Sequence, residues 1–227
     1  VLFLKFGSQI NFKFHENGLP RRYPGNTVIS DVFPENKAYQ VVHYLLKQLK
    51  QRKLDELFIL LPEDSYHVTI IRGVNDQVRN KDFWPPSLPL DASMLEADKF
   101  VRSCVESVET PDYFEMRFKH VQINDEDFRI CLEPANSTEE AKLRDYRNKV
   151  AQSLGLWLPG HDSYTFHITM AYTMFIPDES RRRLLDSYVE EMNMILKQQD
   201  SFKLPRPRFA YYNDMFYFFD TPIERNE

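Results

Sequence analysis

Apolar and polar positions along the chain switch repeatedly between a period of two and a period near 3.6, the marks of strands and helices. Asn26 to Phe33 is rich in β-branched residues and stops at Pro34, which predicts a strand. Beyond that proline Ala38, Val41, Val42, Leu45, Leu46 and Leu49 recur at helical spacing, predicting an amphipathic helix over 36–52. A short apolar strand, Leu57 to Leu61, and a second strand over 65–72 follow, then a proline-rich loop from Asp82 to Pro89. Ser93 with Glu96 makes a capping box for a helix reaching about Glu109. Residues 113–121 and 127–133 alternate around Asn124-Asp125-Glu126, a hairpin signal. A third helix is expected to start at Ser137, with Glu140 as its box residue, and to stop at Gly155. A strand over 164–172 comes next. Pro177-Asp178 then opens a fourth helix with the stripe Leu184, Leu185, Tyr188, Met192, Ile195 and Leu196, and an aromatic strand or hairpin edge lies within Phe209 to Phe219. Residues 1–24 read as an N-terminal arm with one strand near Ile10 to Phe14.

Helices alternating with antiparallel hairpins indicate an α+β fold rather than a doubly wound parallel sheet. Two of the strands are related. Tyr66-His67-Val68-Thr69-Ile70-Ile71 recurs as Phe166-His167-Ile168-Thr169-Met170, one hundred positions later. Side chains alternate along a strand, so each His and Thr share a face while Val68 and Ile168 point the other way. Each of these strands also precedes a helix, and that loose symmetry suggests two lobes of related shape within one domain spanning 1–227.

Composition narrows the field of functions. With 227 residues, 42% apolar, the chain can bury a sizeable core, and no apolar run approaches the length of a membrane span. A net charge of −5 argues against a broad nucleic-acid groove but allows a pocket for one phosphate. The two cysteines, Cys104 and Cys131, sit in apolar runs and read as free thiols, which suits a cytoplasmic protein. The opening run Val1 to Phe6 is too short for a signal sequence. Asn136-Ser137-Thr138 is formally a glycosylation sequon, and it serves here as a helix start.

His-x-Ser/Thr is a cheap pattern, expected by chance roughly half a time in such a composition. A third copy, His161-Asp162-Ser163, follows Pro159-Gly160 without apolar flanks and reads as a loop. The other two gain weight from their matched polarity. Together they resemble the signature of the 2H phosphoesterase superfamily, and Tyr23 to Ile29 and Gly73 to Leu90 are similar to a poorly characterised microbial branch of it, related to cyclic phosphodiesterases and RNA 2′,5′-ligase-like proteins. The resemblance runs from about residue 20 to 220. It implies a two-lobed, pseudo-symmetric fold with antiparallel sheets lining a central cleft, helices outside, and one motif from each lobe facing that cleft.

Two imidazoles can serve as base and acid on opposite sides of a phosphodiester at neutral pH, without a metal or other cofactor. His67 and His167 are therefore the expected catalytic pair. Thr69 and Thr169 are expected to bind the phosphate through their hydroxyls. Phe83 and Trp84 in the proline-rich loop are candidates for base stacking. Arg129 reads equally as a phosphate clamp reaching the cleft and as a solvated edge arginine, whereas Arg72 falls off the His67 face by parity. Tyr66, adjacent to His67, should face away, and Tyr164 reads as structural filling. The resemblance implies hydrolysis of a 2′,3′-cyclic phosphate or a 2′,5′-linked nucleotide or RNA end. The partner is then a nucleotide or RNA terminus, with no membrane, and a monomer is expected. Two other readings compete: a non-catalytic nucleotide or RNA-end binding module on the same fold, and a metal phosphohydrolase built on His161, Asp162 and His167.

Overall fold

The computed structural model describes residues 5–222, so most of the opening apolar run, Val1 to Leu4, lies outside them. Eight strands follow in chain order: β1 (Gly25–Asp31), β2 (Phe58–Leu60), β3 (His67–Asn75), β4 (Tyr113–Ile123), β5 (Asp127–Pro134), β6 (His167–Thr173), β7 (Phe202–Pro205) and β8 (Arg208–Tyr212). Four helices join them: α1 (Lys37–Gln51), α2 (Met94–Glu106), α3 (Ser137–Leu154) and α4 (Glu179–Leu196). The α+β class is as expected, but the expected sheets are one. The strands form a single antiparallel sheet in the order β7-β4-β5-β6-β3-β1-β8, with β2 also pairing β6.

Only Arg206 and Pro207 separate β7 at one edge from β8 at the other. So short a link requires the sheet to curl until its edges meet, and Ser30 Oγ of β1 donates to the Pro205 carbonyl across the seam, 3.0 Å. The two halves join in the middle at one bridge, Val68 to Ile168. Past it β3 and β6 part, and β2 takes over the edge of β6 from Ala171 to Thr173.

The helices form where the apolar stripes predict them. The α1 stripe from Ala38 to Leu49 is buried throughout, and the Asn36 side chain caps its first turn. The capping box of Ser93 and Glu96 is present at α2. The cap of α3 lies one residue earlier than expected. Asn136, not Ser137, takes the extended cap conformation and accepts from the Glu139 amide, while Gly155 ends the helix at φ 62°. In α4 Leu185, Tyr188, Met192 and Leu196 are buried but Leu184 is exposed. Tyr188 donates to the Leu45 carbonyl at 2.9 Å, tying α4 to α1.

The strand expected near Ile10 to Phe14 is absent. Asn11 sits at φ 67°, a left-handed conformation that interrupts any extended run, and the segment makes turns and isolated bridges instead. It is nonetheless tied down, with Gly7 N to Met174 O at 3.1 Å and Tyr23 N to Asn213 O at 2.6 Å. Cys104 and Cys131 are free thiols. Among the described residues no helix is long and apolar enough to cross a membrane.

Candidate active site

The β3–β6 bridge puts the middle residues of the two His-x-Thr motifs opposite each other, and Val68 and Ile168 are fully buried. With that antiparallel register, His67 faces Thr169 and Thr69 faces His167 on the other side of the sheet. The two imidazoles become diagonal neighbours about a local two-fold axis. All four side chains line one cavity of about 510 Å³.

Each imidazole is anchored in the same way. His67 Nδ1 lies 2.7 Å from the Ser65 carbonyl and His167 Nδ1 lies 2.9 Å from the Thr165 carbonyl, in both cases two residues upstream. A carbonyl only accepts, so Nδ1 must carry the hydrogen and Nε2 is left as the reactive nitrogen. Burial lowers both imidazoles to about 4. Cations add to the lowering at both, Arg208 at His67 and Arg129 with Lys13 at His167, and the neighbours differ in that only His67 has a carboxylate, Asp31 opposite it on β1, working against it. Asp31 is itself held by Arg208 through two contacts of 2.6 and 2.8 Å.

Arg72 lines the same cavity, contrary to the parity expectation. The pairing of β1 with β3 shifts register between Thr69 and Ile71, so Ile70 and Ile71 are both buried and the next side chain returns to the cleft face. β6 does the same. Its pairing with β5 shifts between Thr169 and Ala171, Met170 and Ala171 are both buried, and Tyr172 lines the cavity. Each motif is thus His, Thr and, five positions after the His, a third cleft residue. The apolar doublets Ile70-Ile71 and Met170-Ala171, which break the alternation, are the sequence signal for it.

Phe83 of the proline-rich loop reaches the cavity, with the Arg72 guanidinium over its ring at 5.7 Å. Trp84 does not, which corrects the stacking expectation. It is 1% exposed, its Nε1 donates to the Pro89 carbonyl at 3.0 Å, and Arg79 covers its ring. Tyr66 faces away and is buried, but Tyr164 lines the cavity. Arg129 is a cavity residue rather than a solvated one, held by both oxygens of Asp127 at 2.5 and 2.6 Å. The arm contributes Lys13, over the rings of Tyr23 and Tyr172.

The third His-x-Ser copy stays out of the cleft. His161 is buried, with Nε2 2.9 Å from Asn148 Oδ1. Beside it Arg147 of α3 is buried. It donates to the Ile70 carbonyl at the β3 bulge and to the His161 carbonyl, and it packs over the Tyr164 ring at 4.5 Å. One buried guanidinium so ties the β3 bulge to the segment that leads into β6. Among the described residues no group of three or more His, Cys, Asp or Glu is placed to hold a metal ion.

The 2H-phosphodiest family, described as a domain of unknown function (DUF1868), matches residues 13–126, half of the chain, including the first His-x-Thr motif. The chain belongs to the 2H-phosphodiest family. That membership places it in the 2H phosphoesterase superfamily, with a phosphodiesterase-like activity as the general expectation. Among solved structures, a conserved protein of unknown function from Agrobacterium tumefaciens shares the fold, with a TM-score of 0.84 and 20% identity over 96% of this chain and 92% of that one. Escherichia coli LigT complexed with phosphate is similar at a TM-score of 0.45 and 10% identity, over 84% of this chain and 88% of that one. No curated protein matches the sequence.

Proposed function

We propose that this 2H-phosphodiest protein is a phosphodiesterase that hydrolyses a cyclic phosphate or a 2′,5′-linked nucleotide or RNA end through its two histidines. The observation that carries this reading is the register of β3 on β6, which sets two imidazoles and two threonine hydroxyls into one cavity. Each imidazole points Nε2 away from its own anchoring carbonyl. Phosphodiester cleavage needs one proton removed and one delivered on opposite sides of phosphorus, and a related pair of imidazoles is suited to that.

In this reading His167, which has no carboxylate beside it to favour its protonation as Asp31 does for His67, takes the proton from an attacking water. The water oxygen forms a bond to phosphorus as the bond to the leaving ribose oxygen breaks. His67, beside Asp31, delivers a proton from Nε2 to that oxygen. Thr69 and Thr169 donate hydroxyl hydrogen bonds to the non-bridging oxygens, where charge accumulates. Burial keeps both imidazoles largely neutral at pH 7. An anionic phosphate between them favours protonation of one, so substrate binding itself prepares the acid. No step is routed through a metal.

Turnover of 2′,3′-cyclic nucleotides and 2′,5′-oligoadenylate by the purified protein, with and without EDTA, tests the proposal. The expected result is a phosphomonoester product at an undiminished rate in EDTA. Binding of these nucleotides without product would establish the non-catalytic module instead, and activity abolished by EDTA would favour a metal enzyme.

A further inference from the structure

The cavity holds three cationic side chains, and they are not equivalent. Arg129 is matched by Asp127 and, at 3.6 Å, by Glu126. Among the described residues no carboxylate comes within ion-pairing distance of Lys13 or Arg72. Lys13 is held by the faces of Tyr23 and Tyr172, at 5.6 and 5.0 Å, and Arg72 by the face of Phe83. Burial works most strongly against the Lys13 charge, Tyr23 and the more distant Asp127 and Glu126 favour it, and Arg72 opposes it slightly. Arg72 also acts on the phenols of Tyr23, Tyr164 and Tyr212, which line the same cavity.

Two cations that line one partly desolvated cavity with no carboxylate in direct ion-pairing contact are only remotely compensated, and an anion bound between them supplies the close partner both lack. Arg72 stands three residues beyond Thr69 on β3, roughly 10 Å along an extended strand. It is positioned there by the Ile70-Ile71 bulge, whose Ile70 carbonyl Arg147 binds. Phosphate oxygens accept from guanidinium and ammonium groups in strong charge-assisted hydrogen bonds.

We infer that Lys13 and Arg72 form a second anion subsite, so that the substrate carries a phosphate group besides the one between the histidines. This rests on the phosphodiesterase reading for the placement of the first phosphate. The substrate class it selects is a nucleotide or oligonucleotide end with at least two phosphates, over a nucleoside with only the scissile one. Tyr23, Tyr164 and Tyr212 supply hydroxyls around the subsite, and Phe83 gives Arg72 an apolar wall that holds its guanidinium in place.

The test is calorimetric binding of adenosine 2′-monophosphate and adenosine 2′,5′-bisphosphate, which requires no turnover. The wild-type protein should bind the bisphosphate about 10-fold or more tightly, the scale of one charge-assisted contact set. Lys13→Met with Arg72→Met, which keeps the alkyl packing on the aromatic rings, should reduce that gain to about twofold or less, weakening the bisphosphate far more than the monophosphate, whose loss is limited to that of the Lys13 charge acting near His167. Equal affinities in the wild type overturn the inference without recourse to any variant. A gain that survives the double substitution overturns it too. So does an equal weakening of both ligands, which would assign the two cations to the scissile phosphate. Bisphosphate preference without hydrolysis of any cyclic nucleotide would sink the phosphodiesterase reading and leave the subsite standing, and hydrolysis without that preference would do the reverse.

Discussion

β3 and β6 carry the same local design in different surroundings. Both present His, Thr and a post-bulge residue to the cleft, and both hold Nδ1 on the carbonyl two residues upstream. What differs lies on the neighbouring strands. His67 has Asp31 opposite it on β1 and the Phe218 ring at 4.2 Å. His167 has Cys131 opposite it on β5, with the charges of Arg129 and Lys13 nearby. The post-bulge residue is a cation in one strand, Arg72, and a phenol in the other, Tyr172. A duplicated backbone scaffold therefore fixes the geometry of two equal groups, and the flanking strands are what make them unequal.

The largest effect is expected from the imidazoles themselves. His67→Ala and His167→Ala should each lower turnover by about 10²-fold or more, the scale of a positioned acid or base. Because the two act as a unit, the double variant should fall well short of the product of the single losses. Near-normal turnover in either folded variant would break the symmetry and remove that histidine from the mechanism.

The hydroxyls come next. A hydrogen bond to a charged oxygen is worth about 1.5–3 kcal/mol, so Thr69→Val and Thr169→Val should each cost roughly 10- to 100-fold in kcat/KM. A loss in KM alone, with kcat intact, would make the threonines ground-state binders only.

Smaller still, and more revealing about the asymmetry, is Asp31→Asn. It removes the carboxylate that favours a proton on His67 and leaves the Arg208 charge beside it uncompensated. Turnover at neutral pH should fall about 10-fold, one pKa unit's worth, with the alkaline limb of the kcat profile moving to lower pH. Cys131→Ala beside His167 should leave that limb in place. Identical profiles for the two variants would mean that the histidines are electrostatically interchangeable.

The last effect is on stability. Both imidazoles are held near 4 in the folded protein, below the value of about 6.5 for a free histidine. The folded state thus resists protonation that the unfolded chain accepts. Stability present above pH 6.5 is lost as the pH falls from 6.5 towards 4. Replacing both by Gln should flatten this loss by on the order of a few degrees in Tm between pH 7 and pH 4.5, since both rings are only half-buried. An unchanged pH dependence would show that burial costs the protonated imidazoles little.

Much of the fold was readable because the signals are local. The α1 stripe, the Ser93 box and the Gly155 stop depend on residues within a few positions of one another. Where the structure departs from those local signals, the causes are physical too. Asn136 outcompeted Ser137 for the α3 cap because its own backbone is the extended one. The arm lost its strand to the left-handed Asn11. Trp84 looked like a site aromatic in a proline-rich loop, yet that loop folds over it and satisfies its indole N–H internally. Arg72 departs from parity because parity holds only for a regular ladder, and a bulge resets it.

By itself the sequence determined the α+β class, the helices, and the pairing of His67 with Thr69 and His167 with Thr169, since alternation within a strand is a property of covalent geometry. Tertiary structure alone decided that Val68 meets Ile168, and so that two motifs one hundred residues apart share a cavity. It also decided that Arg72, Tyr172 and Lys13 join them while Trp84 and His161 do not. Register between distant strands, and the charges that neighbouring strands bring to each imidazole, come from packing across the whole sheet, which no local pattern encodes.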